Sequence, residues 1–346
     1  MTARRRWGLV AGLSGVLLVG LVLIIPAVLS SPKDMAMTAC IGRLRSRLSP
    51  LDLAKPHTPG EDEKAFLAFY GLAVPGAEHW LGTRMLAGHR VAVHVFEPPQ
   101  AKGTVLIVHG YYDHAGVWRQ VIPRLVADRY RVIIHDQPGH GLSDGERAGI
   151  DDFQTYVEVL DGMVSFTAES FPGKLHLVAH SMGAGVAVDW LLQGDRQEVD
   201  RVVLLAPLFR SAAWGISRFG HAVIGRWFRS MPRKYRKNSG DAEFLAFTRA
   251  DPLQYERVPS SWVTALGVWN RQLAKRTPSQ RPVTVLQGDH DTTVAWKHNR
   301  ALLARLLPEA DVHMVTGGQH QLMNDTPVLR QQVIGQILGV LGGEDD

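Results

Sequence analysis

Residues 175–187 read LHLVAHSMGAGVA. Leu175 to Ala179 is a short apolar run of strand type, and Met182 Gly183 Ala184 Gly185 Val186 Ala187 reads as a helix start, with Ser181 at the turn between them. A strand, a sharp turn and a helix lift such a serine hydroxyl above the strand ends. The positions two before and two after it must be small because the backbones crowd there. Here they are Ala179 and Gly183, the alanine departing from the commoner glycine. A serine that merely caps a helix would account for the local pattern, but it would need no partners elsewhere in the chain.

Ser181 has such partners. A serine hydroxyl becomes nucleophilic when a histidine takes its proton, and an acid holds that histidine in the right tautomer. On a fold with this elbow the chain order is serine, acid, histidine. Downstream, Gly288 Asp289 His290 Asp291 follows the strand-like Val283 to Gln287, and Gly317 Gly318 Gln319 His320 follows Val312 to Val315. His320, in a glycine-rich loop at a strand end, is the expected base. Asp289 and Asp291 both fit the acid, and spacing alone does not separate them. The base must be neutral to accept the proton, so activity is expected to rise through the near-neutral range where an ordinary histidine titrates, about 6.5.

The intermediate of acyl transfer needs two backbone donors, one after the nucleophile and one after an early strand. Met182 supplies the first. The second is expected from Tyr111, in the loop His109 Gly110 Tyr111 that follows the strand Thr104 to Val108, with His109 bracing the loop.

Further outward, Arg131 to His135 and Val202 to Leu205 are also strand-like, and helical periodicity separates the strands, as in Gln154 to Phe166. Strands alternating with helices imply an α/β fold with a mostly parallel sheet, helices on both faces. Thr83 to Leu86 and Val91 to Phe96 flank Ala87 Gly88 as an early hairpin, and a helix near Leu329 to Leu341 closes the chain. About eight strands result. Residues 206–281 break the alternation with helical patterns and no convincing strand, and are read as an inserted helical cap. The catalytic domain is expected over 79–346, preceded by a tether over 31–78 with one short helix around Glu61 to Tyr70.

Several of these segments together resemble the monoacylglycerol lipase and lysophospholipase group of α/β-hydrolases, also described as serine aminopeptidase S33-like. They are His109 Gly110 Tyr111 Tyr112 Asp113 His114, Asp136 Gln137 Pro138 Gly139 His140 Gly141 Leu142 Ser143 Asp144 Gly145, His180 Ser181 Met182 Gly183, Asp251 Pro252 Leu253, Gly288 Asp289 His290 Asp291, and Gly318 Gln319 His320. The likeness runs from about Trp80 to the C-terminus. It implies an α/β-hydrolase fold, Asp291 as the acid, and hydrolysis of a monoacylglycerol or lysophospholipid through an acyl-serine intermediate, with neither metal nor cofactor. A carboxylesterase or acyltransferase acting on a small non-lipid ester is the alternative, because one fold hosts many chemistries.

Composition adds where the protein works. Of 346 residues 45% are hydrophobic, enough for a large core, and 38 Lys and Arg against 33 Asp and Glu give a net charge of +5, too weak for a nucleic-acid binder. The single cysteine, Cys40, precludes an internal disulfide. Arg4, Arg5 and Arg6 precede an uncharged, largely apolar run from Trp7 to Leu29, long enough for the roughly 20 residues that span a bilayer. Residues 1–30 are therefore read as a transmembrane anchor holding an exported domain, on the periplasmic face of the inner membrane if the chain is bacterial; cleavage after Ser30 and secretion is the competing reading. Residues 201–240 hold nine Lys or Arg and no acid, beside Trp214, Phe219, Trp227 and Phe228. Such a basic, aromatic cap suits anionic lipid headgroups as a second membrane contact.

Overall fold

The computed structural model describes residues 33–212, 214–215 and 228–343. Residues 1–30, read as the anchor, and Arg218, Phe219, Arg226 and Trp227 of the basic tract lie outside the described residues. Among the described residues no helix is long and apolar enough to cross a membrane.

Eight strands form one sheet. β1 (Glu78–Leu86) and β2 (His89–Glu97) are the antiparallel hairpin, joined by Ala87 and Gly88, both at positive φ as a two-residue hairpin turn requires. β3 (Gly103–Val108), β4 (Tyr130–His135), β5 (Leu175–His180) and β6 (Arg201–Leu205) follow, and after a long excursion β9 (Val283–Gly288) and β10 (Ala310–Val315). Their order is β1-β2-β4-β3-β5-β6-β9-β10, parallel from β4 onward. The chain moves outward from β3 to β4 and then returns to the other side of β3 for β5. Such a reversal opens a crevice at the carboxyl ends of the strands, where α/β sheets bind their ligands.

Alternation along the strands sends side chains to two cores. Leu106, Val108, Leu177 and Ala179 face α4 (Gln154–Ser170), α5 (Met182–Leu191), α7 (Ser260–Leu273) and α8 (Trp296–Leu306). Val105, Ile107, Val178 and Val203 face α3 (Ile122–Ala127) and α9 (Pro327–Gly342). Onto this second face also pack α1 (Met35–Arg47) and α2 (Glu61–Tyr70).

Those two helices change the reading of residues 31–78, whose described part is no loose tether. In α1, Met37, Cys40, Ile41 and Leu44 recur at helical spacing and are buried, as are Phe66, Leu67 and Tyr70 in α2. A fully buried large apolar side chain contributes about 1.5–3 kcal/mol, so the pair is held firmly. Arg45 donates to the carbonyl of Gly141, in the loop after β4, at 3.0 Å. At the head of this segment, Lys33 donates to the carbonyl of Gln254 and lies 3.9 Å from Glu256.

The excursion over 206–281 contains α6 (Ala242–Ala250) and α7, and also a small antiparallel pair that was not expected, β7 (Ser230–Pro232) with β8 (Arg257–Pro259). Three residues are too few to show a period of two, and each strand ends on a proline, which sheets tolerate only at edges and strand ends.

Candidate active site

Ser181 stands at the end of β5 with φ 52° and ψ −114°, a strained conformation for a residue with a side chain. Hydrogen bonds over-determine it. Its N–H donates to the carbonyl of Leu205 at 2.8 Å, and its carbonyl accepts from Gly185 at 3.0 Å and Leu208 at 2.9 Å. The glycine two residues on is required: a Cβ on Gly183 would fall 2.5 Å from the carbonyl oxygen of Val108 and 2.6 Å from that of His109. Ala179 is fully buried within β5, opposite Val108.

Because β9 and β10 are neighbours, their terminal loops meet beside the serine. Ser181 Oγ donates to His320 Nε2 at 2.9 Å, and His320 Nδ1 donates to Asp291 Oδ2 at 2.7 Å. All three side chains are buried. The other oxygen of Asp291 accepts from the Thr293 and Val294 amides at 2.7 and 3.0 Å. Burial pushes the Asp291 carboxyl up, but the charge and hydrogen bond of His320, with those amides, outweigh it and hold it below the usual carboxylate range. Asp289 points elsewhere, accepting from the Gly317 amide at 2.7 Å, so it braces the histidine loop and leaves the line to Asp291.

The loop after β3 passes close by the serine. A Cβ on Gly110 would lie 3.0 Å from Ser181 Cβ, so the backbone just before Tyr111 runs against the serine. Met182, the first residue of α5, sets its amide on the same turn. Among the described residues neither amide has an acceptor. His109 braces this loop, donating from Nδ1 to the Gly110 carbonyl and accepting the Gln137 N–H at Nε2, both at 2.8 Å. The Tyr111 ring stacks on Trp262 with centroids 3.7 Å apart, and its hydroxyl donates to the Ala148 carbonyl. Around it, His140 Nε2, Tyr156 Oη and Trp262 Nε1 are buried without hydrogen-bond partners among the described residues.

One pair had no expected role. Asp113 accepts from His180 Nδ1 at 3.2 Å, and His180 Nε2 donates to the carbonyl of His320 at 3.1 Å. The ring thus bridges a carboxylate on one side and a main-chain carbonyl on the other. Burial pushes the Asp113 carboxyl up, but the hydrogen bond and charge of His180 bring it down to about 2. The pair thus ties the loop after β3, the turn at Ser181 and the loop of His320 together. Asp113 and His180 both sit in recognisable motifs, yet nothing in their spacing places them in contact.

The basic tract is partly spent within the protein. Arg233 lies over the Tyr112 ring at 3.7 Å and donates to Gln254 Oε1 at 2.6 Å, and Arg236 donates to the Thr292 carbonyl at 3.0 Å. Arg229, Lys234 and Lys237 remain exposed, as does Phe228.

Residues 99–327 match the family model described as serine aminopeptidase, S33. The chain belongs to this family of α/β-hydrolases. Over 254 residues, 69% of this chain and 89% of the relative, it is 29% identical to a monoacylglycerol lipase of Mycolicibacterium smegmatis. It is 25% identical to phospholipase YtpA of Bacillus subtilis over 205 residues, 55% of this chain and 76% of the relative. In fold this S33 member is similar to a soluble variant of monoglyceride lipase from Saccharomyces cerevisiae, with a TM-score of 0.63 at 16% identity over 74% of this chain and 92% of that one.

Proposed function

We propose that this S33 hydrolase cleaves carboxylic esters of lipid-like substrates, of the monoacylglycerol or lysophospholipid kind, through an acyl-serine intermediate. The observation that carries the reading is the hydrogen-bonded line Asp291, His320, Ser181 at the carboxyl ends of the strands. His320 takes the hydroxyl proton as Ser181 Oγ attacks the ester carbonyl. The oxyanion that forms is held by the amides of Tyr111 and Met182, and Asp291 stabilises the ring while it carries two protons. Collapse expels the alcohol with that proton, and water then repeats the sequence to release the fatty acid.

The lipid nature of the ester is supported by the lipase and phospholipase among the relatives. For location we propose that residues 1–30 anchor the chain in a membrane with the domain exported, on their apolar run, and that the exposed Phe228, Arg229, Lys234 and Lys237 meet anionic headgroups. Purified protein should release fatty acid from monoacylglycerols or lysophospholipids, and Ser181→Ala should not. A preference for C2–C4 acyl groups across a chain-length series would replace the lipid reading with that of a small-ester carboxylesterase.

A further inference from the structure

The match to the family model begins at residue 99, yet a side chain from α2 reaches the catalytic end of the sheet. Tyr70, the last residue of α2, is fully buried, and its hydroxyl donates to Asp251 Oδ1 at 2.7 Å. The same oxygen accepts the Leu253 amide at 2.9 Å, while Oδ2 accepts from His114 Nε2 at 2.8 Å. His114 Nδ1 in turn accepts the Gly116 N–H at 3.1 Å. One buried carboxylate therefore joins the N-terminal helices, the return of the 206–281 excursion and the loop that carries Tyr111.

The aromatic ring acts on the same loop. Tyr70 packs edge-on against His114 with centroids 4.9 Å apart, and a Cβ on Gly116 would fall 2.4 Å from Tyr70 Cδ1. The segment 110–116 is thus clamped on one side by Ser181 and the His180–Asp113 pair, and on the other by Tyr70 and Asp251. Oxyanion stabilisation depends on amides fixed before the reaction, and a small displacement weakens them without touching substrate affinity.

We infer that Tyr70 is a positioning residue for the oxyanion hole, acting through Asp251 and His114 on the Tyr111 amide, and that α1 and α2 belong to the catalytic unit. This rests on the reading of the Tyr111 amide as an oxyanion donor in the proposed reaction. Losing such a donor outright costs about 10²–10³ in kcat, so a misplaced one should cost about tenfold.

In the full chain, Tyr70→Phe keeps the ring and loses only the hydroxyl. Its kcat should fall about tenfold with KM within twofold, and the rate constant for labelling of Ser181 by a fluorophosphonate, whose phosphoryl oxygen needs the same donors, should fall in parallel. An unchanged kcat and labelling rate, even with a lowered Tm, overturns the inference, as does a rise in KM alone. If Y70F does not fold, Asp251→Asn carries the test with the same expected split, since its amide nitrogen cannot accept from His114. Failure of both variants to fold overturns positioning in favour of a folding role. Wild-type protein that resists the probe removes the hydrolase reading and this one with it. Wild-type labelling matched by the variant removes this one alone.

Discussion

The His180 ring donates to the main-chain carbonyl of His320 at 3.1 Å, so the residue before Ser181 holds the backbone of the histidine to which Ser181 is hydrogen-bonded. Asp113 completes the arrangement from the loop after β3. Asp113→Ala leaves a buried ring nitrogen without its hydrogen-bond partner, and an orphaned buried polar group costs about 1–3 kcal/mol. Denaturant unfolding should report a loss of that order, with kcat reduced as the histidine loop loosens. An Asp113→Ala protein of wild-type stability would contradict the pairing.

The two acids of the 289–291 loop should separate in kinetics. Asp291→Asn removes the acceptor of the His320 Nδ1 proton, and kcat should fall about 10³–10⁴-fold, the scale on which a triad depends on its acid. Asp289→Asn disturbs the brace to Gly317 and the contact with His290, neither of which touches His320, and should lower kcat less than about tenfold. The reverse ranking in ester hydrolysis would exchange their roles.

Gly183→Ala should be among the most damaging single-methyl additions. The new Cβ would meet two backbone carbonyls, which cannot swing aside as a side chain can. Loss of fluorophosphonate labelling and a lower Tm are expected together. Gly267, inside α7, has only the tip of Arg271 within reach of a new Cβ, so Gly267→Ala should keep the labelling and leave the Tm equal or slightly raised, which makes it the control.

Acid should weaken the fold from below neutrality. Burial lowers His94, His135 and His140 from the ordinary 6.5 to about 3, so between these values the unfolded chain binds more protons than the folded one. Stability present above pH 6.5 is lost as pH falls, by about 2 kcal/mol per ring at pH 5. His114 has the opposite sign. Burial lowers it, but Asp251 more than compensates and raises it, so its contribution is greatest in acid and offsets part of the loss. Below pH 4 the carboxylates add to the loss, Asp113 down to about 2. Urea midpoints at pH 7.5 and 5 measure the net effect, and equal midpoints would sink the account.

Removing residues 1–78 should leave little folded protein. Ile41, Leu44, Phe66, Leu67 and Tyr70 would uncover the face that carries Val105 and Ile107. Cutting before Lys33 keeps that face covered, and should leave the Tm of the domain unchanged by thermal melting. A stable, active protein beginning at His79 would restore the tether reading.

The elbow, the strands and the serine, acid, histidine order were legible because each is local: a run of apolar residues, a glycine at a fixed offset, a loop after a strand. Choosing Asp291 over Asp289 rested on the family resemblance alone, since by spacing two residues in one loop differ only in where their side chains point. The α1 pattern of Met37, Cys40, Ile41 and Leu44 was obscured by Arg43, Arg45 and Arg47 among them. Tyr70 with Asp251 and Asp113 with His180 are pairings across 181 and 67 positions, and no periodicity encodes them.

Lys33 meets the carbonyl of Gln254 and the carboxylate of Glu256, just before β8 and beside the residues that grip Arg233. The polypeptide therefore enters the domain on the side of the cap. Three residues reach at most about 10 Å, so a bilayer that held residues 1–30 would keep the crevice on a short leash at its surface. A hydrolase tethered this way would meet its esters by lateral diffusion in two dimensions, and its turnover would follow their surface density rather than their bulk concentration.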